Sequence, residues 1–165
     1  MDAKTHWEKV YATKAPEAVS WYRPHLETSL ALIERAATGY SASIIDVGGG
    51  ESTLVDDLLA QGYENITVLD VSQTAIDVTK KRLGLAAEQI HWLVADLTDA
   101  RLERGAYDVW HDRAVFHFLT AIEQRIAYVR NVAHAQRVLL NAVGSTLFAM
   151  TPNHCTTNLE CASVW

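Results

Sequence analysis

Cysteine is nearly absent from this chain, with only Cys155 and Cys161 in 165 residues, both near the C-terminal end. No disulfide framework is encoded, so a reducing, cytoplasmic setting is the expectation. No uninterrupted apolar run approaches the ~18 residues of a membrane span, and the charged N-terminus does not lead into a signal-peptide core. Long basic runs are also missing. The net charge is −6 and the longest cationic block is Lys80-Lys81-Arg82, which argues against a duplex nucleic-acid footprint. That trio precedes Gly84 and suits the last turn of a helix, where cations complement the dipole. Metal spacing is absent too: His111, His117, His154, Cys155 and Cys161 contain no Cys-x2-Cys or His-x3-His pair, so no metal site is expected.

Apolar residues make up 49% and charged residues 21%, the balance of an ordinary globular domain. A chain of this length buries roughly two thirds of its unfolded surface as one domain.

The most informative stretch is Ser43-Ile-Ile-Asp46-Val-Gly48-Gly49-Gly50-Glu51-Ser52-Thr53. Its β-branched apolar run reads as a buried strand, and the glycines allow a sharp turn and close backbone approach. Ser52 or Thr53 then caps a helix carrying Leu54, Val55, Leu58 and Leu59, with Gly62 as its stop. Twenty residues beyond Gly50, Asp70 ends a second apolar run, Ile66–Leu69. A carboxylate at the tip of the neighbouring strand is well placed to accept from both hydroxyls of a ribose, which implies an adenosine-containing cofactor. A nicotinamide dehydrogenase shares the glycines and the acid. However, Thr53 stands where that fingerprint has its third glycine, Asp46 sits at a position those folds keep apolar, and no second domain remains.

Further along, Ser72 caps a helix to Leu83, while Ile90–Asp96 and Tyr107–His111 supply two more strands. Thr120–Glu123 has a capping-box pattern, and Ile122, Ile126, Val129 and Ala133 form one apolar stripe. Ahead of the first strand, residues 2–13 form an amphipathic helix with Trp7, Val10 and Tyr11 on one side. A second helix, opened by Pro24, carries Leu26, Leu30, Ile33 and Ala37 and ends at Gly39. Strands alternating with helices imply right-handed crossovers and a parallel sheet.

With these residues in place, the sequence resembles the class I S-adenosylmethionine-dependent methyltransferases. Asp46-Val-Gly48-Gly49-Gly50 is similar to their first motif, Asp70-Val71 to the ribose-binding acid, and Ala95-Asp96-Leu97 to the pair that holds the adenine. His6–Tyr11 and Val109–Arg113 are similar to blocks of small bacterial-type members. The resemblance spans roughly Trp7 to Val132. It implies an α/β fold with a single Rossmann-like, doubly wound, mostly parallel sheet and S-adenosyl-L-methionine as cofactor. The implied binding residues are Asp46, Gly48, Gly49, Gly50, Asp70, Val71, Asp96 and Leu97. Asp46 would draw the methionyl ammonium.

The implied organisation is an N-terminal helical lid over 1–40, a cofactor-binding core over 41–144 and a divergent tail over 145–165. The aromatics of the first segment could equally cover the sheet's edge. Where the family places a basic-Pro-Gly-Gly turn, this chain reads Ala135-Gln136-Arg137. The segment Arg137–Val143 keeps strand composition, and too few residues follow for the family's C-terminal hairpin. An apolar last strand left at an edge predicts self-association, unless the tail folds back with Leu147, Phe148 and Trp165.

Methyl transfer is an in-line displacement from a sulfonium, which needs alignment more than a dedicated catalytic group. If a general base exists, it belongs at the tip of the fourth strand, where His111 and Asp112 are the candidates. The competing expectation is an Asp112–Arg113 ion pair that only fixes the loop, with Phe116 and Phe118 in the core. The acceptor is a small molecule or a protein lysine, as segments similar to Trp110–Ala114 occur in both kinds of methyltransferase. The alternative is a truncated, idle module that binds cofactor or a partner without turnover.

Overall fold

Alternation along the first strand sets the architecture. The computed structural model describes residues 2–137. In β1 (Ser43–Val47), Ile44 packs to one side with Ile33, Leu54, Val55 and Leu58. Ile45 and Val47 pack to the other with Leu69, Trp110, Tyr128 and Val132. Side chains of a strand alternate between faces, so a strand apolar at nearly every position must be covered on both sides. Fully burying each such aliphatic side chain contributes about 1.5–3 kcal/mol.

The remaining strands among the described residues are β2 (Asn65–Asp70), β3 (Ile90–Val94) and β4 (Val109–Asp112), in the order β3-β2-β1-β4. Every pairing is parallel. Helices α1 (Ala3–Thr13) and α2 (Glu27–Ala36) precede the sheet, α3 (Leu54–Gln61) and α4 (Gln73–Leu83) connect the first three strands, and α5 (Val115–Phe118) and α6 (Ile122–Ala135) follow β4. This is the doubly wound α/β fold expected. Among the described residues no helix is long and apolar enough to cross a membrane.

Local chemistry explains the ends of α3 and α4. Gly62 ends α3 at φ +92°, and its N–H bonds back to Leu58 and Leu59, because the left-handed turn there suits glycine. Ser72 Oγ accepts from Ala75 N at 3.1 Å as the N-cap of α4. At the start of α3, Ser52 Oγ accepts from Leu54 N, while the Thr53 hydroxyl donates to Arg23 O instead of capping.

Two helices differ from expectation. Helix α2 begins at Glu27, three residues after Pro24, because the Asp57 carboxylate bonds His25 Nδ1 (2.8 Å) and Leu26 N (3.3 Å) and holds both residues outside the helix. In α6 the buried stripe is Tyr128, Val132 and Ala135, whereas Ile122 and Ile126 are 47% and 52% exposed. The helix is turned by its tyrosine. Tyr128 Oη donates to Asp112 Oδ2 at 2.7 Å and accepts from Trp110 Nε1 at 3.2 Å, and a buried phenol needs such partners. The cap of α6 also shifts by one residue, with Ala121 N donating to Gln124 Oε1.

After α6 the chain returns alongside the start of β4 through a parallel bridge between Tyr107 and Gln136. Arg137 ties this return down by donating to Asp108 Oδ1 at 2.8 Å. The expected strand Arg137–Val143, the missing hairpin, the covering tail and pairing through the last strand fall beyond Arg137, outside the described residues.

Candidate functional site

The strand order places β1 between β2 and β4, with connections leaving in opposite directions, and open α/β sheets hold ligands in the crevice this creates beyond the strand ends. A cavity of about 610 Å³ lies there, lined by residues of the glycine turn, the tips of all four strands and the N-terminal segment. Of the residues expected to hold a cofactor, Asp46, Gly48, Gly49, Asp70, Val71, Asp96 and Leu97 line it; Gly50 does not.

The glycine turn is shaped by the side chains around it. Gly48 has φ +69°, and a β-carbon there would overlap Val115 Cγ2. A β-carbon on Gly49 would stand 2.5 Å from Asp46 Oδ2, and one on Gly50 would stand 2.7 Å from Asp70 Oδ2. Both acids therefore lie against bare backbone. The room that Gly50 leaves is taken by an acid of the site, so its contribution to the cavity is indirect.

Asp46 is 3% exposed, with Oδ1 bonded to His111 Nδ1 at 2.7 Å. Its Oδ2 is buried and has no hydrogen-bond partner among the described residues. Burying a carboxylate oxygen unpaired is costly, so a donor belonging to a ligand fits this spot. Asp70 ends β2 and accepts from Ser72 N at 2.8 Å. Burial pushes its pKa up to about 6, against the lowering effect of backbone N–H donors. Asp96 accepts from Thr98 N and Oγ1, which fixes its carboxylate at the tip of β3, and Leu97 beside it is buried.

At the tip of β4 the two candidate bases differ. The parallel register sets His111 beside Asp46 and Asp112 beside Val47. His111 lines the cavity but is 1% exposed, and both its ring nitrogens are engaged, Nδ1 by Asp46 and Nε2 by Ser29 Oγ at 2.9 Å. Asp112 is turned away from the cavity. Its carboxylate accepts from Ala114 N, Val115 N, Phe116 N and Tyr128 Oη, and is consumed in fixing the β4–α5 loop. Asp112, expected as a candidate base, thus lies outside the lining of the cavity, and the alternative Asp112–Arg113 ion pair is not formed either. Phe118, expected in the core, is 51% exposed.

Further residues complete the wall of the cavity. Arg113 lines the cavity, and burial lowers its pKa. Helix α1 lies over the crevice with Trp7 and Tyr11 on the cavity. Trp7 meets Phe118 edge-on at 5.0 Å and Trp21 at 6.0 Å, while burial, reinforced by the charges of Asp70 and Glu51, raises the Tyr11 phenol. Glu8 anchors the helix by accepting from Ser72 Oγ, Gln73 N and Thr74 N at the start of α4. The patterning of residues 2–13 predicted the helix; nothing in it predicted the anchor.

A family model described as a methyltransferase domain matches residues 44–138. The chain belongs to the class I S-adenosylmethionine-dependent methyltransferases. Among curated relatives, the domain is 25% identical over 146 residues to the eEF1A lysine and N-terminal methyltransferase of Danio rerio, covering 88% of this chain and 21% of that protein. It is 21% identical over 154 residues to human EEF1A lysine methyltransferase 2, covering 84% of this chain and 64% of that protein. The methyltransferase domain thus spans about a fifth of the length of the first relative. Among solved structures, Haemonchus contortus phosphoethanolamine N-methyltransferase 1, in complex with phosphoethanolamine and S-adenosylhomocysteine, superposes with a TM-score of 0.65 at 14% identity, covering 81% of this chain and 29% of that one. A TehB-like S-adenosylmethionine-dependent methyltransferase from Corynebacterium glutamicum gives 0.57 at 20%, covering 81% and 66%. At these identities the structures show the shared fold.

Proposed function

We propose that this domain binds S-adenosylmethionine across the crevice and transfers its methyl group to an amine, with a protein lysine as the favoured acceptor. The observation that carries the cofactor site is the pair of buried acids. Asp46, with an unpaired Oδ2, and Asp70, at the next strand tip, both face one cavity. Asp70 takes the ribose hydroxyls, Val71, Asp96 and Leu97 the adenine end, and Gly48 and Gly49 give close backbone approach. Asp46 takes the ammonium of the methionyl arm. Arg113 has no ion-pair partner among the described residues and offers a cation to the carboxylate of the same arm. Helix α1 covers the site as a lid, with residues 41–137 as the described part of the core.

The cofactor supplies an activated methyl on a sulfonium, so the protein's task is alignment and exclusion of water. His111 and Asp112 are both committed to internal hydrogen bonds. The acceptor therefore arrives as a neutral amine, oriented by the Trp7–Phe118 side of the cavity. The lysine preference rests on the eEF1A methyltransferases among the relatives. A second reading, a domain that binds cofactor without turnover, is favoured by the same commitment of His111 and Asp112.

Incubation of purified protein with methyl-labelled cofactor and a lysate tests these readings. Label in protein that survives acid hydrolysis as methyl-lysine supports the proposal. Label in small molecules would overturn the lysine assignment. S-Adenosylhomocysteine binding without label transfer would favour the idle module, and absence of binding would overturn the site.

A further inference from the structure

Helix α2 lies outside the strand–glycine–helix unit, yet its Ser29 reaches the site through a chain of three buried side chains. Ser29 Oγ stands 2.9 Å from His111 Nε2, and His111 Nδ1 stands 2.7 Å from Asp46 Oδ1. The exposures are 5%, 1% and 3%, and the three residues come from α2, β4 and β1. A carboxylate can only accept, so Nδ1 donates to Asp46, while Nε2 is held in a hydrogen bond with the Ser29 hydroxyl. Both ring nitrogens are thereby fixed, and with them the plane of the Asp46 carboxylate. One oxygen is spent on the ring, leaving Oδ2 beside Gly49 with no partner among the described residues.

We propose that Ser29 and His111 are positioning residues for the amino-acid arm of the bound cofactor: together they hold Asp46 so that Oδ2 receives the ligand's ammonium. The inference rests on the cofactor assignment above. In a core this closely packed, a carboxylate held at one oxygen from a different structural element has a single orientation, whereas an Asp46 without that hold can rotate about χ2 and turn its plane away from the ligand. Ser29 sits within α2 and makes no other described side-chain bond, so its replacement by alanine removes the hydroxyl while keeping helix propensity. Sequence spacing gives no hint of this chain, because its links join residues 65 and 82 positions apart.

The test compares two ligands by calorimetry. S-Adenosylhomocysteine carries the amino-acid arm, and 5′-methylthioadenosine carries the same adenosine and sulfur without it. Ser29→Ala and His111→Leu are expected to weaken S-adenosylhomocysteine roughly tenfold or more while changing 5′-methylthioadenosine by less than about twofold, since a hydrogen bond to an ionised group is at stake only for the first. His111→Asn restores an N–H toward Asp46 and is expected to recover most of the lost affinity. If His111→Leu fails to melt cooperatively, Ser29→Ala alone decides. Equal loss for both ligands, or none for S-adenosylhomocysteine, would overturn the positioning role and leave the cofactor site standing. A parent protein that binds neither ligand would overturn the cofactor site and this inference together.

Discussion

Glu8 of α1 accepts a 2.9 Å hydrogen bond from Ser72 Oγ, 64 residues further along the chain, and through Gln73 N and Thr74 N it caps α4 from outside. One carboxylate thus satisfies helix-end donors of α4 and fastens the segment that covers the crevice.

Glu8→Ala is expected to cost about 1 kcal/mol, as loss of a helix cap does, and to free α1. The Thr74 side chain first, then Gln73 N, Ser72 Oγ and Thr74 N, hold the Glu8 carboxyl below its usual value. Its stabilising contribution is therefore present above the ordinary carboxylate range and is lost as pH falls through the lowered folded value. Limited proteolysis checks this: cleavage within 3–13 should accelerate in the variant at pH 7 and in the parent as pH falls below the ordinary carboxylate range. Equal cleavage rates would show that α1 is held by its aromatics alone.

Asp70 has the opposite sign. Its folded pKa of about 6 lies above the ordinary 3.8, so between those values the folded chain keeps a proton that the unfolded chain has released. The folded state is favoured by protonation there, and stability falls as pH rises through about 4 to 6, by up to about 3 kcal/mol. Urea unfolding at pH 4.5 and pH 7 should show this slope in the parent and a shallower one in Asp70→Asn. Ligand affinity runs the other way: the ionised acid is the better acceptor, so S-adenosylhomocysteine should bind more tightly as pH rises from 5 to 7. Asp70→Ala should weaken it roughly tenfold to a hundredfold.

The glycines separate binding from stability. Gly48→Val should abolish S-adenosylhomocysteine binding, because the side chain would meet Val115 at a backbone angle only glycine adopts easily. Gly50→Ala should weaken binding by displacing Asp70. Gly62→Ala serves as the control: at φ +92° and with open space around it, it should lower stability by about 1 kcal/mol and leave affinity unchanged. Thermal shift with and without ligand distinguishes the three, and a Gly50→Ala protein that binds like the parent would detach the turn from Asp70.

Asp112→Ala removes the acceptor of the Ala114, Val115 and Phe116 N–H groups and of the Tyr128 hydroxyl proton. The expected cost is about 3 kcal/mol, or roughly 6–12 °C in melting temperature for a chain of this size. A catalytic base would behave differently, losing turnover with its melting temperature intact. Calorimetric scanning of the variant beside the label-transfer assay separates the two roles.

What could be read from the sequence was short-range or strongly periodic. Ser72 and Gly62 announce a helix start and stop through their own backbone chemistry, and the apolar run ending at Asp46 announces a strand covered on both faces. Asp70 is legible because the end of an apolar run fixes where its side chain emerges, while Asp46 and Asp96 are singled out by the resemblance of their motifs to those of the methyltransferases. The links among distant elements are not legible. Glu8 with Ser72, Ser29 with His111 and Tyr128 with Asp112 depend on tertiary placement, and no spacing rule encodes them. The face of α6 was misread for the same reason: aliphatic periodicity favoured Ile122 and Ile126, while the polar partners required by one buried tyrosine turned the helix.

The close fit of Asp46 against Gly49 and of Asp70 against Gly50 constrains how such a turn can drift over generations. Any side chain at position 49 or 50 collides with a carboxylate, so substitution at the glycine is blocked while the acid remains. A smaller residue at 70 relieves the tightest contact at position 50 and leaves Ala75 Cβ at 3.0 Å, whereas at position 49 Val68 Cγ1 still stands at 2.9 Å. Change at position 50 is therefore ordered: the acid must go first. Among descendants, a filled position 50 should be accompanied by a smaller residue at 70, whereas a glycine at 50 places no matching demand on its neighbour.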